Sequence, residues 1–441
     1  QRQMCIRDRN GMKQYKHRIV DYILERKLKG MGAVLIEGPK WCGKTTTAEE
    51  KAKSILYMND PKKSGMYMQL AKMSPQSLLE GEAPRLIDEW QLAPSLWDTI
   101  RFEVDHRDGE GQFILTGSAV PAKTDEIWHS GTGRFARIKM RPMSLWESED
   151  SQGTISLNDL FLGKAKVAMC EEKSIDDIAY LVCRGGWPKA TLQDKDIALE
   201  RVFDYYDAVV NIDISRVDDV SRDAERTKRL MRSYARFQGS QTSISKIKED
   251  VKANDAMSVD DDTIGSYIKA LEKIFVIEDM PAWNPNLRSK TAIRTSFTRY
   301  FVDPSIAVAA LGIGPKDLIN ELETFGLLFE TMCIRDLRVY ADAIGGNVYH
   351  YRDKNGLECD AVVHLRNGDY GLVEIKLGGD NLIEEGASSL KELATKIDTT
   401  KMKTPSFMMV LIGIGSYAYQ REDGVWAVSY THLTLPTSDL V

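Results

Sequence analysis

Two groups of residues in this chain have the types and spacing that phosphate chemistry needs. The first begins with Gly38-Pro39-Lys40-Trp41-Cys42-Gly43-Lys44-Thr45, which fits G-x-x-x-x-G-K-[ST] at every fixed position. Glycines let the backbone curl until successive N–H groups point at phosphate oxygens, and a helix starting at the loop's end adds its positive pole. Lys44 is expected to reach the β- and γ-phosphates of a nucleoside triphosphate, Thr45 to put its hydroxyl on Mg²⁺, and Thr46 to complete the lining. The alternative, a glycine turn that merely precedes Lys-Thr, would make the apolar run before it and the helix-forming run after it accidental. Further on, Ile87-Asp88-Glu89 closes a second apolar run with two carboxylates. Asp88 suits a metal held through its water shell, and Glu89 suits a base that orients and deprotonates an attacking water.

Two positions extend this group. Phe113-Ile114-Leu115-Thr116-Gly117-Ser118 is a buried strand with a polar end, and Thr116 or Ser118 suits a sensor of the γ-phosphate; the plainer reading is a turn after a strand. Arg134 opens an alternating strand, with Phe135, Arg137 and Lys139 on one face and Ala136, Ile138 and Met140 on the other. It suits neutralising a transferring phosphoryl group, in cis or from a neighbouring subunit; the plainer reading is a solvated arginine.

The second group lies toward the C-terminus. Glu330 sits on a helix whose apolar face is Leu322, Phe325, Phe329 and Met332. A strand from Leu357 puts Glu358 and Asp360 on one face and Cys359, Ala361 and Val363 on the other; the next strand, Tyr370 to Lys376, puts Glu374 and Lys376 together with Val373 and Ile375 behind. Asp360 and Glu374 fixing Mg²⁺, with Lys376 positioning water, is what metal-dependent phosphodiester cleavage requires. An ordinary sheet with exposed charges is the competing account.

The elements that must hold these groups are legible in outline. Ile19, Tyr22 and Ile23 mark a helix ahead of the glycine loop, and Ser54 to Met58 a further strand. Residues 156–222 read as a helical connector or lid, broken at Arg184-Gly185-Gly186-Trp187-Pro188, with Trp187 assigned to the core. Three helices follow, the first with Leu230, Tyr234 and Phe237 on one face and Lys228, Arg232 and Arg236 on another, the second from Thr242, the third spanning Asp262 to Glu272. A strand over Phe275 to Met280 closes the segment. That order suggests a winged helix-turn-helix, either a DNA reader or a protein-docking module; with Lys269 and Lys273 set against Glu272, the third helix is thinly supplied with cations. Arg288 to Tyr300 is strongly basic and interleaved with aromatics, which suits either a nucleic-acid backbone or a solvated wing.

At 441 residues the chain exceeds one ordinary core, and its net charge of -6 restricts any nucleic-acid contact to a local patch. No apolar run is long enough to span a bilayer, and the six cysteines form no C-x-x-C pair, so a reduced cytoplasmic setting is expected. The ends, Gln1 to Arg9 and Val428 to Thr437, resemble translated sequencing-adapter read-through, with Met12 as the expected start; the alternative is a pair of natural unstructured termini.

Gly38 to Thr45, Ile87-Asp88-Glu89, Leu115-Thr116-Gly117-Ser118, and Gly133-Arg134 followed by Pro142-Met143-Ser144-Leu145 together resemble the AAA-type ATPases of bacteria and archaea. The narrower resemblance is to the group with a C-terminal nuclease-like domain: Glu330, Asp360, Glu374 and Lys376 match, in order, the acidic helix residue, aspartate and E-x-K of the restriction-endonuclease-like fold. The resemblance implies ATP with Mg²⁺, and an arginine finger acting across a subunit interface, hence a homo-oligomer through Arg134. The fold class expected is α/β. A leader occupies residues 1–11, a P-loop NTPase domain with a parallel sheet 12–147, a helical connector 148–223, a winged-helix-like segment 224–285, an α/β nuclease-like domain 286–428 and a tail 429–441. Two functions fit: an ATPase whose cycle drives nucleic-acid processing, or a nucleotide-switched binding protein with a protein partner and structural C-terminal acids.

Overall fold

The computed structural model describes residues 15–120, 130–169, 172–218, 220–253, 261–286, 288 and 293–435. Five short strands, β1 (Ala33–Glu37), β2 (Ser54–Tyr57), β3 (Arg85–Asp88), β4 (Phe113–Gly117) and β5 (Phe135–Lys139), form a sheet in the order β2-β3-β4-β1-β5. Every pair is parallel. Such a sheet needs cover on both faces, which is why its central strands read as unbroken apolar runs. Val34, Ile36, Leu86 and Ile114 pack toward the helix Ile19–Leu28, while Leu35, Ile87, Phe113 and Leu115 pack toward the helix Leu96–His106. The topology inserts β4 between β1 and β3, as the sensor reading of Thr116 and Ser118 requires.

A second sheet comprises β7 (Ala168–Met169), β8 (Gly346–Arg352), β9 (Glu358–Leu365), β10 (Tyr370–Lys376), β11 (Phe407–Ile412), β12 (Tyr417–Gln420) and β13 (Trp426–Ser429), in the order β7-β12-β13-β11-β10-β9-β8. Its β8-β9-β10 part is antiparallel and its β10-β11-β13 part parallel. The long helix Leu322–Ala343 covers one face through Phe325 and Phe329 against Val373, Ile375 and Met409. The helix Asp380–Lys396 covers the other through Ile383 and Leu390 against Leu372 and Val410. Cys359 falls on this second face, apart from Ala361 and Val363, because a register shift between Tyr349 and Tyr351 breaks the alternation expected there.

The three helices of the middle segment form, at Ala224–Arg236, Ile244–Ala253 and Asp261–Lys273. The strand expected over Phe275 to Met280 does not. Two isolated antiparallel bridges, Ile277 to Phe301 and Met280 to Thr298, stand in its place. Phe275 sits at φ +60°, and the Asp279 side chain takes Tyr234 Oη, Arg299 Nη1 and the Tyr300 N–H, which commits this stretch to side-chain bonds rather than a ladder. Within the basic interval expected after it, Ser289, Lys290, Thr291 and Ala292 lie outside the described residues.

The units are tied together by buried charge. Arg335 pairs with Asp303 and Asp336 at 2.7 Å each, and Asp336 accepts the Leu145 N–H at 2.8 Å. Arg141, just past β5, holds Glu278 at 2.7 Å and Asp342 at 2.6 Å. The chain also stays packed beyond Val428: Tyr430 Oη donates to Met332 O at 3.1 Å, and β14 (Leu433–Thr434) pairs in parallel with β6 (Ile155–Ser156). The expected leader and residues 436–441 lie outside the described residues. Among the described residues no helix is long and apolar enough to cross a membrane.

Candidate nucleotide site and acidic cluster

The glycine loop leaves the C-terminal end of β1 and turns into the helix Lys44–Glu49. At Gly38 an added Cβ would lie 2.0 Å from Met140 O, so only glycine lets the loop pass the end of β5. Gly43 caps the helix at φ +102°, a conformation that glycine adopts without penalty. This close-packed, glycine-shaped cradle fits a polyphosphate. Buried Lys44 donates its Nζ to Pro39 O at 2.7 Å across the loop.

Three strand ends converge beside it. Asp88 Oδ1 accepts from Thr45 Oγ1 at 2.7 Å and from Thr116 Oγ1 at 2.6 Å, and the Glu89 N–H reaches Thr116 Oγ1 at 3.3 Å. Ser118 Oγ donates to Glu89 Oε2 at 3.0 Å, and Gln91 Nε2 reaches the same oxygen. Both expected sensors therefore touch the acid pair, Thr116 on Asp88 and Ser118 on Glu89. Glu89 sits at φ +56°, a left-handed conformation uncommon outside glycine and held in place by this network. Thr45 and Asp88 form the oxygen pair that would hold Mg²⁺.

Arg134 is elsewhere, and a role for it in cis is corrected. It precedes the first residue of β5, and Phe135 pairs with Ala33 at the start of β1, so Arg134 lies at the N-terminal edge of the sheet. The glycine loop occupies the opposite edge, about 15 Å away along a five-residue strand. Arg134 is instead tied to Asp105 at 2.8 Å.

Sequence reasoning did not reach the contacts that close the site from outside the sheet. Lys40 Nζ pairs with Asp213 Oδ1 of the connector at 2.5 Å, and the Trp41 ring lies 5.5 Å from Tyr205. Trp187 is buried, as expected of a core residue, 4.3 Å from Tyr205, with its Nε1 donating to Ser305 Oγ at 2.9 Å. Arg18, also buried, donates to Cys42 O and Arg141 O at 2.9 Å each. A cavity of about 700 Å³ is lined by Lys40, Glu89 and Ser118 together with Asp213 and Arg216 of the connector. The third middle helix rests against this region: Val120 N donates to Lys273 O at 3.0 Å, and Ile274 and Val276 join the cavity wall.

The C-terminal acids also converge. The ladder between β9 and β10 stops at Ala361 and Val373, and beyond it Asp360 Oδ2 accepts the Ile375 N–H at 2.7 Å. Lys376 Nζ stands 2.9 Å from Glu374 Oε2 and 4.0 Å from Asp360 Oδ2. Glu330 receives Tyr300 Oη from the helix side. Burial, and then the neighbouring Asp360, holds the Glu330 carboxyl well above its usual range and pushes Glu374 to about 8. Burial also raises Asp360, against the pull of Lys376. Glu374 Oε1 is buried without a hydrogen-bond partner. Lys376 thus lies against Asp360 and Glu374 without cancelling the effect of burial on either, and among the described residues no three acid, histidine or cysteine side chains are grouped to cage a metal.

Residues 31–149 match the family model described as AAA domain. Residues 175–317 match a domain of unknown function (DUF8612), and residues 325–433 another (DUF4143), which contains all four C-terminal site residues. No curated protein matches the chain. The AAA match covers the glycine loop, the acid pair, Thr116 and Ser118, and supports a nucleotide-binding ATPase domain of the AAA type.

Proposed function

We propose that this chain is a Mg²⁺-dependent ATPase whose nucleotide cycle acts on its C-terminal domain. The observation that carries the reading is the single network in which Thr45 and Thr116 hold Asp88 while Ser118 and Gln91 hold Glu89. Lys44 would exchange Pro39 O for phosphate oxygens. Thr45 and Asp88 would hold Mg²⁺, which when bound neutralises phosphate charge. Glu89, held by Ser118 and Gln91, would take a proton from water as the water oxygen bonds to the γ-phosphorus. The bond to the bridging oxygen breaks, and ADP leaves with its electron pair.

The convergence of Glu330, Asp360, Glu374 and Lys376 supports a second reading for the C-terminal domain, phosphodiester cleavage on DNA. The buried Glu374 beside Lys376, 2.9 Å apart, supports the binding-switch alternative, in which these groups are structural. ATP hydrolysis with Mg²⁺ tests the main reading, and Lys44→Ala should abolish it by removing phosphate binding. DNA cleavage with Mg²⁺ or Mn²⁺, lost in Asp360→Ala and Lys376→Ala, separates the two accounts of the C-terminal domain. Hydrolysis without cleavage favours the switch.

A further inference from the structure

A buried guanidinium stands behind the glycine loop, outside the chemistry proposed for ATP. Arg18 immediately precedes the helix Ile19–Leu28, and its side chain reaches acceptors on three separate segments. Nη1 donates to Cys42 O of the loop at 2.9 Å, Nη2 to Arg141 O at 2.9 Å, and Nε to Glu147 Oε1 at 3.0 Å. Glu147 is itself fixed, accepting the Ile19 N–H and the Ser144 N–H at 2.8 Å each. Arg141 follows Met140, whose carbonyl crowds Gly38 at the other end of the loop. The guanidinium thus bolts the loop to the segment after β5. Across a trans peptide the C=O and the N–H point in opposite directions. Cys42 O is held on the packed side, where an added Gly43 Cβ would lie 3.5 Å from Arg18 Nη1, and this turns the Gly43 N–H to the other side. Among the described residues that N–H donates to no protein group.

We propose that Arg18 is the positioning residue of the glycine loop: it holds the Cys42 carbonyl on the packed side so that the Gly43 N–H is presented to the phosphates of a bound nucleotide. This rests on the ATPase reading above. A carbonyl that accepts from a cation polarises its own peptide, which strengthens the N–H as a donor to an anion. Gly43, at φ +102°, lets that peptide swing at little cost, so without the arginine the loop spends part of its time with the N–H turned away. Apparent affinity then falls with the fraction of competent loops. The planar fork explains the choice of arginine: its donors diverge to three segments, whereas lysine donates from one point, which its charge would hold at Glu147. The phosphates cradled by such a backbone are those that ATP and ADP share, so both nucleotides lose affinity alike. Hydrolysis of nucleotide already bound is left to Glu89.

The test uses the whole chain with Mg²⁺ and measures ATP and ADP binding by calorimetry, with KM and kcat for hydrolysis. Arg18→Lys keeps a cation beside Glu147, whose side chain is only 1% exposed. It should raise KM about 10-fold, weaken ATP and ADP binding by the same factor, and change kcat by less than about twofold. Lys16→Ala, which removes a surface pair with Glu149, should leave KM and kcat unchanged. A merely structural role gives the opposite split, because loss of folded chain lowers kcat per total protein and leaves KM alone. That split, or a folded Arg18→Lys chain with KM within about twofold of the wild type, overturns the proposal. Where Arg18→Lys melts below the assay temperature, Arg18→Met combined with Glu147→Gln removes both buried charges together and carries the same expectations. In a chain that binds without turnover, the equal loss of ATP and ADP affinity decides. A wild-type chain that binds neither nucleotide refutes the ATPase reading and this proposal with it.

Discussion

Glu278 offers a quantitative test of how the nucleotide-binding sheet is fastened to the rest of the chain. Its carboxylate takes Arg141 in a two-pronged contact at 2.7 and 2.8 Å, Arg338 at 3.6 Å and Lys139 at 3.2 Å. Arg141 and Arg338 are buried, so Glu278→Gln leaves two guanidinium groups in the interior, with Asp342 still paired to Arg141. Removing one partner of a buried pair costs roughly 3–5 kcal/mol, and the surviving Asp342 contact puts the expected loss near 3 kcal/mol. Lys139 is 45% exposed, so Lys139→Ala should cost less than about 1 kcal/mol. Urea unfolding at neutral pH measures both. The pH dependence gives an independent check. Burial alone would raise the Glu278 carboxyl, but Arg141, Arg338 and Lys139 hold it well below 4.5. The unfolded state then binds the extra proton in acid, so this stabilisation is present above about pH 4.5 and is lost as pH falls through the folded value. The gap between wild type and Glu278→Gln should therefore narrow on acidification. A neutral-pH gap below about 1 kcal/mol, or one that stays constant into acid, would refute the reasoning.

Three further outcomes follow from the same structure. Gly38→Ala should abolish ATP binding while a melting experiment still shows a folded chain, because its Cβ would meet Met140 O at 2.0 Å and reshape the loop locally. Trp187→Phe should lower stability by about 1–3 kcal/mol in urea, since it strips buried Ser305 Oγ of the indole N–H donated at 2.9 Å. Glu374 is held protonated up to about pH 8, so between pH 4.5 and 8 the folded chain binds the extra proton and loses stability as pH rises. Glu374→Gln should flatten that part of the stability profile; an unchanged profile would show that the cluster does not carry the effect.

What the sequence revealed divides along physical lines. The glycine loop, Asp88-Glu89 and Thr116 were legible because each is a short run whose chemistry depends on neighbours in sequence, and the strand order then brought them together. The C-terminal acids were legible through alternation, which held for Asp360 and Glu374 and failed at Cys359 where the register shifts. The role in cis offered for Arg134 fails for a reason already present in the sequence: it precedes its strand, and in a parallel sheet the loop lies at the strands' other ends. Asp213 and Glu278 carry no motif. Their partners lie 173 residues away in Lys40 and 137 residues away in Arg141, pairings that only the packed fold creates. The burial of Tyr430 to Leu435 was hidden in the same way, because β14 pairs with a two-residue strand from the connector.

The central claim is that Glu89 is the base of an ATPase site, and it is tested most directly by comparing ATP binding and Mg²⁺-dependent turnover in the wild type and Glu89→Gln. Loss of one oriented base predicts turnover slowed by about 10²–10⁴-fold with ATP binding retained. A Glu89→Gln chain that hydrolyses ATP at the wild-type rate would contradict the assignment, and a wild type that binds ATP without turning it over would put the nucleotide-switched binding protein in its place.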